Sequence, residues 1–296
     1  MRKKGFVLVV CLLLLLLLPG LSKAEKLKFG VKLSGGMNYL LVGDPNEGIK
    51  GYFNVIRDGS INPPGLSVLE GQAKPIHLGL DFEGDIIINL TPKIGIGVGA
   101  GYIQGSRTSE ITVRFLDGAS EMTGSHELKV SAIPIRLGAY YTLSMNNKIN
   151  VFFNTGAGLY LAKYSYNKDP VGTGECGFNQ RASANGLGFH GGVGFEYELT
   201  PNIAFVLEGQ GRYAKIGGFE GKIEHSCPYP PFEWTEEGTL YYWEAVTFNK
   251  YQVLIKKYPQ VYVRENKPSG SGISNVREAK VDFSGFNFLV GIKINF

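Results

Sequence analysis

Beyond its first two dozen residues the chain lacks any apolar run approaching the roughly 20 residues that a membrane-spanning helix needs. A long 3.6-residue periodicity is missing as well, which argues against a helical bundle. An excess of one charge is also absent. The full sequence has 30 basic and 26 acidic residues, but Arg2, Lys3, Lys4 and Lys23 fall in the first 24 positions, with no acid. The remainder is 26 against 26, so no basic surface argues for nucleic-acid binding. Cysteine is scarce too: Cys11 lies in the N-terminal apolar run, leaving Cys176 and Cys227.

The N-terminal segment reads as a secretory signal. A basic start is followed by the apolar stretch Phe6 to Leu18, the breaker Pro19-Gly20, and small residues at Ser22 and Ala24. Residues 1–24 are expected to be removed, leaving 25–296 as one domain. Export to an oxidising compartment makes Cys176 and Cys227 a candidate disulfide.

What the chain has in abundance is period-two alternation. Leu27, Phe29, Val31 and Leu33 alternate with Lys28, Gly30, Lys32 and Ser34. Ile76 to Leu90 place apolar residues at even positions, against His77, Asp81, Glu83 and Asp85 at odd ones. Ile94 to Tyr102 alternate with four glycines, and Ile133 to Tyr141 with Arg136 and Gly138. The same period runs through 149–162, 187–199, 203–213 and 286–296, making eight long strands.

Alternation fits a soluble ligand-carrying barrel as well as a membrane one, and the polar face decides between them. A face of glycine and asparagine would serve poorly against water but suits a narrow lumen, while the Ile, Leu, Val and Phe face suits lipid. Only a closed barrel satisfies the backbone there. Connections at Thr91-Pro92-Lys93, Ser144 to Lys148 and Thr200-Pro201 are short; those at about 41–74, 116–126, 164–185 and 217–280 are long. Strict alternation of short and long predicts periplasmic turns, extracellular loops and both termini in the periplasm. The fold class expected is all-β, a transmembrane antiparallel up-and-down β-barrel of eight strands. The fourth loop is long enough to hide a hairpin, which would make ten.

The final strand ends on Phe296, with Phe286, Phe288, Val290, Ile292 and Ile294 at every second position before it. This resembles the recognition signal read by the barrel assembly machinery of bacterial outer membranes. The stretches Ile86 to Tyr102 and Ala132 to Tyr141 likewise resemble the porin-like, outer-membrane-protein-A type of eight-stranded barrel. The resemblance covers most of 26–296 and implies an outer-membrane location, with outer-membrane lipids and the assembly machinery as partners. No residues follow Phe296, so the peptidoglycan-binding module of full-length outer-membrane protein A is expected to be missing.

Several local patterns imitate chemistry. Gly95-x-Gly97-x-x-Ala100 matches a dinucleotide fingerprint on paper, but alternation continues through Tyr102 where a helix would have to open. Asp81, Glu83 and Asp85 on one side of a strand could hold a cation. They are read instead as part of a lumen ion network with Lys28, Lys32, Arg136, Glu196, Glu198, Glu208, Arg212 and Lys293, since buried charges must be paired. His77 and His190 are expected inward, without a serine at close alternate spacing to suggest an esterase. Asn89-Leu90-Thr91 forms a glycosylation sequon at a periplasmic turn of a bacterial-type protein and is discounted. In the first outer loop Ile49, Tyr52, Phe53 and Ile56 are spaced for a short helix over the mouth. The fourth carries Tyr229, Phe232, Trp234, Tyr241, Tyr242, Trp243, Phe248, Tyr251, Tyr258 and Tyr262, either packed on one another or exposed to a surface ligand.

The expected function is an outer-membrane barrel with a largely plugged lumen and a structural or surface-interaction role, without catalytic residues, metal or cofactor. A small passive channel for small or apolar solutes is the alternative, and a lipid-modifying enzyme a minor one.

Overall fold

A computed structural model describes residues 28–58, 66–115, 121–169, 176–228, 231–248 and 254–296. The signal segment, Tyr229 and Tyr251 lie outside them. Eight strands form a closed antiparallel ring: β1 (Lys28–Gly43), β3 (Leu78–Asn89), β4 (Ile94–Phe115), β5 (Glu121–Ser144), β6 (Ile149–Lys168), β7 (Gly177–Thr200), β8 (Ile203–Tyr213) and β14 (Val281–Asn295). The ring closes because β14 pairs with both β8 and β1, in a register that sets Ile294 opposite Val31 and Phe286 opposite Tyr39. No helix among the described residues is long and apolar enough to cross a membrane, and the ring itself leaves no open edge.

One end carries three tight turns. All three are locked by side-chain oxygens that accept from the next strand: Thr91 Oγ1 from the Ile94 amide at 2.9 Å, Asn146 Oδ1 from the Ile149 amide at 2.9 Å, and Thr200 Oγ1 from the Ile203 amide at 3.1 Å. The sequon threonine is thus a turn residue.

The other end differs from the sequence expectation. Instead of ending near the barrel rim, β4, β5, β6 and β7 run on for 20 to 24 residues each, so much of the expected loops 116–126 and 164–185 is ladder. The expected loop 41–74 holds helix α1 (Asp44–Arg57) and β2 (Leu66–Gly71), which pairs with β4. The region 217–280 holds β10 (Glu220–Pro228), β11 (Pro231–Phe248), β12 (Leu254–Arg264) and β13 (Ile273–Glu278); the two-residue β9 (Lys215–Ile216) just precedes it. The extra hairpins do not enlarge the ring: β10 joins the upper part of β7, where β8 has ended, and β11 connects β10 to β12 and β13. The ring has eight strands, not ten.

Helix α1 has its charges arranged with the helix dipole, Asp44 and Glu47 in the first turn and Arg57 in the last. It follows β1 without a loop, through Val42 at φ 61° and Gly43 at φ 71°. A β-branched residue in the left-handed region is strained, and Val42 is held there fully buried. Asp44 anchors the junction by accepting from the Arg277 guanidinium and the Lys280 amide. Gly48 and Gly51 let the helix come close to β12, where a Cβ at Gly51 would collide with the Pro259 carbonyl.

Candidate functional site

Parity organises the interior. In the short-turn half, odd positions of β3 and even positions of β1 and β5 face the lumen, while the other parity exposes Leu33, Phe82, Ile86, Val98, Ile135, Phe195 and Phe288. The inward set includes most of the charged residues expected there. Lys32 Nζ lies 2.6 Å from Glu208 and 3.1 Å from Asp85. Arg136 is paired with Glu83 and, at 2.9 Å, with Asp85. Arg212 meets Asp81 at 2.9 Å, and Lys293 meets Glu196 at 2.8 Å. All nine of these side chains are buried.

The reach of these pairs explains the glycines. Arg136 on β5 pairs with acids on β3, across the whole width of β4. That is feasible because β4 presents Gly95, Gly97, Gly99 and Gly101 inward. A Cβ at Gly99 would collide with the Asp85 carboxylate, and one at Gly97 would meet the Tyr140 ring. The fingerprint-like spacing is therefore room for an ion network, not a phosphate cradle.

Two of the expected members stand apart. Lys28 has the inward parity but sits exposed at the short-turn rim. Glu198 accepts only from Asn150 Nδ2, at 3.2 Å. Neither joins an ion pair among the described residues. Neutral side chains that charge patterning does not reveal complete the network: Asn154 and Gln210 donate to Glu208, Asn287 Nδ2 donates to Asp81 at 2.9 Å, and the Tyr140 hydroxyl to Asp85 at 3.2 Å. Their inward parity was the available signal. Ile87, Phe152, Val206 and Leu289 fill space beside the charges.

The histidines divide. His190 faces the lumen, half-buried, beside Gly156 and Arg212 in register. His77 does not. It precedes β3, is exposed, and stacks on Tyr39 with ring centroids 5.6 Å apart, while Ile76 takes the buried place. The strand begins at Leu78, two residues later than the alternation suggested, so Ile76 and His77 precede the ladder and do not follow its parity. Among the described residues no group of three or more His, Cys, Asp or Glu side chains is placed to hold a metal ion.

In the long-loop half the interior is an apolar core: Leu40, Ile103, Ile111, Leu128, Val130, Tyr164, Phe178, Ile223, Leu240, Val263 and Phe283, covered by Ile49 and Phe53 of α1. His126 is fully buried there, its Nδ1 2.9 Å from the Tyr166 hydroxyl and its ring against Tyr52 and Phe53. Burial, helped by Lys168, pushes its pKa down to about 3. Burial raises the Tyr166 hydroxyl well above its usual range. Of the fourth-loop aromatics, Tyr242, Trp243 and Tyr258 are buried and Tyr262 half-buried, whereas Phe232 and Trp234 are exposed, Trp234 stacked on His225 at 4.1 Å.

The structure joins Cys176 to Cys227, with Cα atoms 4.1 Å apart. The β7–β10 register sets Gly177 opposite Ser226, so the two cysteines are the next opposed pair along the same ladder. The terminal apolar residues Phe286, Phe288, Val290 and Ile292 are exposed on the outer wall, Ile294 is half-buried, and Phe296 stacks on Phe29 at 4.8 Å.

Comparison with known proteins agrees with this architecture. No curated protein matches the chain. Among solved structures, the outer membrane protease OmpT of Escherichia coli matches over 93% of this chain and 99% of its own, at 10% identity and a TM-score of 0.42. The RagAB peptide transporter matches over 87% of this chain and 39% of its own, at 7% identity and a TM-score of 0.19. These likenesses are too slight to carry any statement about activity. The family model for the outer membrane protein beta-barrel domain matches residues 10–224, well over half of the chain. The closed eight-stranded ring with an apolar exterior is thus that of a family member: the chain belongs to the outer membrane protein β-barrel domain family and resides in the outer membrane.

Proposed function

We propose that the protein is a non-conducting, non-enzymatic barrel whose folded outer half is its working surface. The observation that carries this reading is that the interior is occupied twice over. Paired charges and neutral amides fill the membrane half, and an apolar core roofed by α1 fills the outer half. A water path would have to break buried ion pairs and then wet an apolar core, each costing several kcal/mol. Refolded protein in planar bilayers is expected to give no stable unitary conductance; steady steps would favour the small channel instead. A lipid-hydrolysis assay on the same preparation is expected to stay at background.

The outermost hairpin, β10–β11, offers the exposed Phe232 and Trp234 to a surface ligand, a smaller aromatic patch than the sequence suggested because Tyr242, Trp243 and Tyr258 are buried. For biogenesis, Phe296 and its alternate neighbours on the closing strand are proposed as the signal for the assembly machinery. Deletion of Phe296 should lower outer-membrane levels and leave unfolded precursor behind; unchanged abundance and heat-modifiable mobility would argue against it.

A further inference from the structure

Just above the apolar wall, the outward faces of β5, β6 and β7 carry two rows of alternating cations and serines. Cross-strand register sets Lys129, Ser165 and Arg181 in one row, and Ser131, Lys163 and Ser183 in the row two residues nearer the membrane. Each cation therefore has only serines as lateral neighbours across these strands. The next outward row toward the membrane is Ile133, Leu161 and Asn185, and the one below it Ile135, Leu159 and Leu187.

Lys163 and Arg181 are exposed and Lys129 is half-exposed. Arg181 Nε donates to Asn179 Oδ1 at 3.1 Å and lies near enough to Glu224 to help lower its carboxyl pKa, but none of the three cations forms an ion pair among the described residues. Elsewhere on the outer half, Lys50, Arg114, Lys222, Lys256 and Arg264 are each paired with a carboxylate. Three cations on neighbouring strands, none in an ion pair and set among serine hydroxyls, form a patch suited to an anion.

Depth identifies the kind of anion. A strand rises about 3.3 Å per residue and tilts about 40° in a membrane barrel, so the two rows stand roughly 5 and 10 Å above the last apolar row. The nearer row falls in the headgroup layer, about 5–7.5 Å thick on each side, and the farther row stands just above it. We propose that this patch binds an anionic lipid of the outer leaflet that carries an exposed phosphate, with that phosphate on Lys129, Lys163 and Arg181 and its chains on Ile133, Leu161, Ile135, Leu159 and Leu187. Arg181 supplies a forked donor, the lysines point charges, and the serine hydroxyls additional donors. A soluble phosphate would use only the upper rows, whereas a lipid uses the charged rows and the continuous apolar wall beneath. The site depends on the membrane orientation of the barrel and not on whether its lumen is closed.

The test uses refolded full-length protein in nanodiscs of phosphatidylcholine with a minor fraction of phosphatidic acid, re-extracted in mild detergent, with bound lipid quantified by mass spectrometry. The wild type should retain phosphatidic acid in excess of its share. Each cation near an anionic surface contributes roughly a fivefold preference, so the triple variant Lys129→Gln, Lys163→Gln, Arg181→Gln should lose on the order of 100-fold at low salt. A control variant at the short turns, Lys93→Gln with Lys148→Gln, should keep the enrichment, and heat-modifiable mobility verifies that all three proteins are folded. Equal retention of the two lipids by the wild type, or unchanged enrichment in the folded triple variant, would overturn the proposal. Complete displacement by millimolar inorganic phosphate, with no effect of chloride at matched ionic strength, would also overturn it, by showing that the patch reads phosphate without the lipid.

Discussion

The two halves of the barrel are built from the same strands with opposite rules. On β5, the odd residues Ile133, Ile135 and Leu137 face outward in the membrane half, and the even residues Leu128, Val130 and Ala132 face inward above it. On β4 the apolar parity passes from Val98, Ala100 and Tyr102 to Ile103, Ile111 and Val113. No bulge interrupts the β5–β6 register, so the backbone alternates evenly while the chemistry changes sides. The cause is the medium outside. Lipid demands an apolar exterior and leaves the narrow interior to paired polar groups; water permits a polar exterior and an apolar core. The membrane half therefore rests on electrostatic pairing and the outer half on burial of apolar surface.

The largest effect should come from breaking the pairing. Lys32→Met removes the cation between Glu208 and Asp85, leaving buried carboxylates short of a partner. Loss of one partner of a buried ion pair costs about 3–5 kcal/mol, measurable as a lower urea midpoint for the heat-modifiable barrel. A cost below about 1 kcal/mol would mean that the network is not what holds the lumen together. Next in size, Phe53→Ala should cost about 3 kcal/mol by emptying a core position under α1, where Phe53 is buried against His126. This loss should stay local. Hydrogen exchange in α1 should rise while barrel mobility on gels is unchanged, and joint loss of both would refute the independence of the halves.

The same comparison explains what the sequence discloses. The eight ring strands are legible because apolar residues recur at one parity through each, as in Phe286, Phe288, Val290 and Ile292. The strand ends are not. The stretch Glu127, Leu128, Lys129, Val130 also alternates, but its apolar residues are on the other parity, so the lipid-face pattern of β5 is continuous only from Ile133 onward although the strand begins at Glu121. The helix is legible from Ile49 and Phe53, whereas its seat on β12 through Gly48 and Gly51 is a long-range contact that no local pattern encodes. Charged members of the lumen network are visible one by one, but which acid meets which base depends on reach across the glycine strand. Lys28 and Glu198 share the right parity and lie too near the rim to be enclosed.

A smaller effect should follow reduction of Cys176–Cys227. Loop-closure entropy for a separation of 51 residues would suggest roughly 4 kcal/mol. Much of the intervening chain is already fixed in β7, β8 and β10, so about 1–2 kcal/mol is expected, confined to the outer half. Limited proteolysis with and without reductant should show faster cutting in β10 and β11 alone. Faster cutting at the short turns would show that the bridge also stabilises the membrane half.

The smallest effect is a pH dependence that should separate the halves without any mutation. His126 lies in the outer core among Tyr52, Phe53 and Tyr166, with Lys168 the nearby cation, and burial pushes its pKa to about 3. In the unfolded chain the imidazole titrates near 6.5. Between these values the unfolded state binds the proton and the folded state refuses it, so this contribution is fully present above pH 6.5 and is lost as pH falls toward 3. One unit below the unfolded value the loss is roughly 1 kcal/mol. Near-UV circular dichroism and exchange in α1 should therefore soften in mild acid before barrel mobility changes. His126→Gln, which cannot take up the proton, should cost stability at neutral pH, where it loses the ring packing. Its stability should then decline less steeply from pH 6.5 to 5. An unchanged slope in that variant would assign the acid sensitivity to other groups and remove His126 as the reporter of the outer core.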